Sequence, residues 1–130
     1  MCAISPTSAM QADKSRPTIL CVDDSPEILE ISRTILEASG YRVFTARSGA
    51  RALELLKLHS IDAAVLDNIM PGMSGADLAR EITRSAGNVL VVMYSGTLRE
   101  DETVPFVDAC LPKGKGPIAL RQLLSSLLQK

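Results

Sequence analysis

Cysteine, histidine, long apolar runs and excess charge are all scarce in this sequence. The three cysteines, Cys2, Cys21 and Cys110, are odd in number and contain no CxxC pair. That pattern excludes a zinc site or a disulfide framework. Cys21 and Cys110 lie inside apolar runs, where a reduced thiol behaves as a small hydrophobe, so a reducing, cytoplasmic compartment is expected. The single histidine, His59, follows a helical pattern that ends at Leu58 and has no partners for a catalytic triad, so it reads as a solvated helix end. The most apolar run, Val89 to Tyr94, is far too short to span a bilayer. No basic segment followed by an apolar stretch opens the chain, so neither secretion nor a membrane partner is expected. Fourteen basic residues oppose fifteen acidic ones, for a net charge of −1. With no basic face, nucleic acid is not expected as a partner.

What is present fits one α/β domain. The chain has 130 residues, 46% of them apolar and 22% charged, a balance typical of a globular protein with its own core. Residues 1–16 are rich in Ser, Ala and Pro and read as a flexible N-terminal tail; the domain itself is expected over 17–130. Thr18 to Val22 is a short apolar run that suits a strand buried on both faces. Ser25-Pro26 marks a helix start, and Ile28, Ile31 and Ile35 recur at helical spacing until Gly40. The alternation repeats. Strands are predicted at Tyr41 to Ala46, Ala63 to Asp67, Val89 to Tyr94 and Ala109 to Leu111. Helices are predicted after Ser48, from Gly75 to Arg84 and from Pro117 to Gln129. Strands alternating with helices imply a doubly wound, five-stranded parallel sheet covered on both faces. Pro112, beside the last strand, puts that strand at an edge.

The polar residues gather at one edge of this sheet. Asp23 and Asp24 end the first strand, Asp67 the third and Ser95 the fourth, and Lys113 follows the fifth. Open α/β sheets bind ligands along the edge where their strands end. Two carboxylates about 5 Å apart repel by roughly 3 kcal/mol at an effective dielectric near 20. A hard divalent cation such as Mg²⁺ relieves that cost. Each residue also has a plain structural alternative. Asp23 and Asp24 suit helix capping, Asp67 an ordinary strand end, and Ser95 a loop hydroxyl. Lys113-Gly-Lys115-Gly116 is not a P-loop, because the upstream glycine and the Ser or Thr after the lysine are absent. The acidic run Glu100-Asp-Glu102 reads as a solvated patch.

Asp23-Asp24, Asp67-Asn-Ile-Met70-Pro71-Gly-Met73-Ser-Gly75, Ser95-Gly96 and Lys113 together resemble the signature of response-regulator receiver domains. The likeness runs from Thr18 to about Gln129. It implies the flavodoxin-like receiver fold with strand order 2-1-3-4-5, which sets Asp67 beside the acidic pair. It also implies a phosphoacceptor of a two-component phosphorelay rather than an enzyme acting on a separate substrate, with possible autodephosphorylation. Asp67 would be phosphorylated by a histidine kinase or phosphotransfer protein. Mg²⁺ would be held by Asp23, Asp24, Asp67 and the backbone carbonyl of Ile69. Lys113 and Ser95 would bind the phosphoryl group, and a downstream protein would read the change. A stand-alone receiver without an output domain is expected. The alternatives are an adaptor independent of phosphorylation and a Mg²⁺-dependent phosphohydrolase. The latter often carries a second acid two residues after its nucleophile, where this chain has Ile69.

Two departures from the family pattern stand out. Gly114 follows Lys113 where the family usually has proline, so a trans bond is expected. The stretch from Ser95 to Lys113 is short and contains Pro105, and Cys110 takes the place of the usual aromatic switch residue. The family's helix four, between strands four and five, is therefore expected to be shortened or lost.

Overall fold

The computed structural model describes residues 16–98 and 102–128. The five strands are β1 (Thr18–Val22), β2 (Arg42–Ala46), β3 (Ala63–Leu66), β4 (Leu90–Ser95) and β5 (Ala109–Pro112). They form one parallel sheet in the order β2-β1-β3-β4-β5. The expected order is therefore found, with the Pro112 strand at an edge. Strand limits differ from the sequence reading by a residue or so. Asp67 lies just past β3, and Ser95 is the last residue of β4 because it pairs with Pro112.

Four helices are present among the described residues: α1 (Pro26–Ala38), α2 (Gly49–Leu58), α3 (Gly75–Ser85) and α4 (Gly116–Leu128). The first three begin at serine caps. The hydroxyls of Ser25, Ser48 and Ser74 accept hydrogen bonds from the amides of Ile28, Arg51 and Asp77, satisfying donors that the helix leaves open. Gly40, at φ +97°, lets the chain reverse after α1. Alternation along the strands divides the core in two. Leu20, Val22, Leu66, Val91 and Met93 face α2 and α3, meeting Leu55, Leu78 and Ile82. Ile19, Cys21, Val65, Val92 and Tyr94 face α1 and α4, meeting Leu29, Leu36, Leu120 and Leu124. None of the helices searched among the described residues is long and apolar enough to cross a membrane. His59, at the end of α2, is exposed and stacks on Phe44 with ring centroids 4.1 Å apart.

Between β4 and β5, the described residues (96–98 and 102–108) contain turns and bends but no helix. The fourth helix in chain order, α4, comes only after β5. Loop side chains cover the sheet instead: Leu98 is buried, and Val104, Val107 and Cys110 pack against the same cluster. The Asp108 carboxylate pins the loop by accepting the Val91 amide at 2.8 Å. Val107 donates its amide to the Val104 carbonyl, closing a turn with Pro105 second and Phe106, at φ +65°, third. That is the residue pattern of a type II turn. No peptide bond among the described residues is cis, and Lys113 enters a short 3₁₀ turn through a trans bond to Gly114. Of the N-terminal tail expected at 1–16, only Arg16 is among the described residues; of the acidic run 100–102, only Glu102 is.

Candidate phosphoacceptor site

Each acid is placed by the backbone just beyond a strand. The Asp23 amide donates to the Ala46 carbonyl at 3.1 Å, and the Asp67 amide to the Val22 carbonyl at 2.9 Å. The sheet ladder therefore fixes both Cα positions before any side chain acts. Asp23 turns its Oδ1 to the Ser25 amide at 2.9 Å, a local Asx turn leading into α1. Asp24 is exposed, and its backbone carbonyl accepts the Arg47 guanidinium at 3.3 Å. Asp23 and Asp67 are nearly buried, at 4% and 7% exposure. One carboxylate oxygen from each of Asp23, Asp24 and Asp67 lies within 4.8 Å of the others.

Lys113 closes the cluster from the far side. Its Nζ stands 2.7 Å from Asp23 Oδ2 and 3.5 Å from Asp67 Oδ1. Ser95, at the end of β4, lies beside Asp67 and favours its charged form; its hydroxyl is 3.2 Å from the Thr97 hydroxyl and accepts the Thr97 amide at 3.4 Å. Burial pushes the Asp67 carboxyl above its ordinary pKa and the neighbouring Asp23 pushes it further; Lys113 and the Ser95 hydroxyl pull the other way without cancelling the rise. Burial would lower the Lys113 pKa, but its hydrogen bond and charge pairing with Asp23, followed by those with Asp67, raise it overall. The ammonium is thus held charged in a pocket with a surplus of negative charge. Perturbed groups facing one another in this way mark functional sites.

The donor set fits Mg²⁺. Three hard carboxylate oxygens converge, one side is open through the exposed Asp24, and Mg²⁺ prefers a few carboxylates completed by water and phosphate oxygens. The Ile69 side chain is 63% exposed, so only the backbone of that residue has anything to offer the cluster. The loop carrying it is tied down, since the Gly75 amide donates to the Asn68 carbonyl at 2.9 Å and Met70 is buried. Gly75 is required here. A Cβ at this position would collide with the Asp67 carbonyl oxygen and lie 2.8 Å from the Asn68 Cα. The structure brings together Asp23, Asp24, Asp67, Ser95 and Lys113 as the sequence predicted. The sequence reading missed Thr97, whose only signal is a second hydroxyl two residues after Ser95.

The model of the response regulator receiver domain family matches residues 19–111. Response regulator GtcR of Aneurinibacillus migulanus is 32% identical over 87 residues, covering 67% of this chain and 36% of GtcR. Response regulator SaeR of Staphylococcus aureus is 35% identical over 86 residues, covering 66% and 37%. The match thus spans little more than a third of these curated relatives. Among solved structures, response regulator TrrA of Thermotoga maritima, in complex with Mg²⁺-BeF, superposes with a TM-score of 0.79 at 30% identity, covering 86% of this chain and 99% of that one. TrrA in complex with the histidine kinase ThkA gives 0.79 at 28%, covering 87% and 99%. Chemotaxis protein CheY4 of Vibrio cholerae gives 0.76 at 25%, covering 87% and 99%. With its sheet order, its edge-on acidic cluster and this match over most of its length, the chain belongs to the response regulator receiver domains of two-component signal transduction.

Proposed function

We propose that Asp67 accepts a phosphoryl group from the phosphohistidine of a histidine kinase or phosphotransfer protein, and that this modification changes the contacts of the domain with a downstream protein. The observation that carries the reading is the Asp67 carboxylate beside two further acids, with the Lys113 ammonium 3.5 Å away. In the transfer, an Asp67 carboxylate oxygen forms the new P–O bond as the P–N bond to the donor imidazole breaks. The departing nitrogen keeps the electron pair. Such transfers depend on positioning and charge stabilisation more than on covalent chemistry by the protein.

Asp23, Asp24, Asp67 and the Ile69 carbonyl would hold Mg²⁺. The ion, when bound, offsets the negative charge of the transferring oxygens. Lys113 needs only a small movement from Asp67 to meet a phosphoryl oxygen as a point charge. The Ser95 hydroxyl, now in contact with Thr97, would donate to another. The same arrangement leaves the acyl phosphate open to hydrolysis, so slow loss of the group by the domain itself belongs to this reading. Intact mass after treatment with acetyl phosphate and Mg²⁺ should rise by one phosphoryl group, and Asp67→Asn should abolish the rise. A phosphorylated aspartate in the Asp67→Asn protein would show that the acceptor lies elsewhere.

A further inference from the structure

The alternation that turns Asp23 and Asp67 toward α1 does the same for Tyr94. Cys21 pairs with Val65 and Val65 with Val92. Two residues further on, Asp23, Asp67 and Tyr94 therefore share one face of the sheet on adjoining strands, about 4.8 Å apart. Together with Ser32 of α1, these residues line a recess of about 10 Å³ whose apolar walls include Leu29 and Val65. Ser32 is 4% exposed and Tyr94 5%. Neither hydroxyl is hydrogen-bonded to another described residue, yet neither is sealed off from open space. Thr34 on the same helix behaves differently, giving its hydroxyl to the Glu30 carbonyl at 2.9 Å.

Two hydroxyls on nearly buried residues, with no protein partner but with access to a small space, call for solvent to answer them. A recess this size has room for one water molecule, and a buried water needs two to four polar partners. Four are present. A water has two hydrogens for the carboxylates and two lone pairs for the hydroxyls, so the donors and acceptors match.

We propose that this recess is a binding site for one ordered water, and that Ser32 and Tyr94 act through it as positioning residues for Asp23 and Asp67. The inference rests on the proposed role of those acids. The water would bond Asp67 through the oxygen that Lys113 does not approach, leaving the other facing outward toward the cation; Asp23, whose two oxygens already meet the Ser25 amide and Lys113, would accept the water as a further partner. Groups that orient metal ligands in this way typically change metal affinity by about 10–100-fold when removed.

The test combines crystallography with calorimetry. Crystals of the metal-free protein, at a resolution that shows waters, should contain one water bonded to both hydroxyls. Ser32→Val, which fills the space with methyl groups, should lack it and bind Mg²⁺ about tenfold more weakly. Ser32→Thr should restore both the water and the affinity, a rescue that a purely packing role would not give. Tyr94→Phe removes a single oxygen and keeps the test available if Ser32→Val fails to fold. A wild-type recess without ordered water overturns the proposal. So does a Tyr94→Phe or Ser32→Val protein with unchanged Mg²⁺ affinity. No phosphodonor enters these measurements, so failure of Asp67 to accept a phosphoryl group would overturn the earlier reading alone.

Discussion

Lys113 Nζ lies 2.7 Å from Asp23 Oδ2, closer than its 3.5 Å approach to Asp67. The lysine is thus a counter-charge for the acidic pair, seated nearer to Asp23 than to Asp67. Lys113→Gln should destabilise the metal-free protein by about 1–3 kcal/mol, between the effects expected of exposed and fully buried pairs. Part of that loss should return with Mg²⁺, since a cation supplies the missing charge. Urea unfolding with EDTA and with Mg²⁺ would measure both, and equal losses in the two conditions would contradict this account.

Asp24 is the exposed member of the acidic trio. Its side chain has little packing to lose, so Asp24→Ala should remain folded. An ion that binds only the native state stabilises it by about 2.7 kcal/mol at a hundredfold excess over its dissociation constant. Wild type should show this gain in melting experiments with Mg²⁺, and Asp24→Ala should lose most of it.

Gly75 fixes the floor of the site. Added at this position, a methyl would press on the Asp67 carbonyl and the Asn68 Cα, which are backbone atoms that cannot rotate aside. Gly75→Ala should therefore cost about 1–3 kcal/mol of stability and slow phosphoryl incorporation as the acceptor is displaced. Gly114→Ala is the control, because a Cβ there meets nothing within 4 Å. Its unfolding midpoint should match that of wild type.

The Ser95 hydroxyl, beside Asp67, contacts both the hydroxyl and the amide of Thr97. Recruiting it to a phosphoryl group disturbs its contact with Thr97, at the start of the segment leading to β5. With Cys110 in place of an aromatic, that segment is expected to report the change. Amide exchange with and without beryllofluoride should change mainly over residues 96–110. A change confined to α1 or α4 would rule the segment out.

The architecture was readable because short apolar runs alternate with serine-capped amphipathic segments, and because Asp23, Asp67, Ser95 and Lys113 each fall where a strand stops. Pro105 likewise falls among described residues before β5 that form turns and bends. Other features depend on three-dimensional packing. Ser32 looks like one more polar residue of a helix, yet it is buried beneath α1 because the helix faces the sheet at that turn. Tyr94 reads as a strand apolar residue, and only the register beside Asp67 gives its hydroxyl a setting. No pattern in the sequence announces that Phe106 takes a backbone conformation more usual for glycine.

The clustered residues Asp23, Asp67, Ser95 and Lys113 come from the ends of β1, β3 and β4 and from the turn after β5, so no contiguous stretch of chain contains the cluster. A nascent chain that has not yet delivered its last strand has Asp67 without the ammonium that accompanies it. The charge balance of the acidic cluster therefore arrives only with the complete sheet, once β5 has brought Lys113 against Asp23 and Asp67.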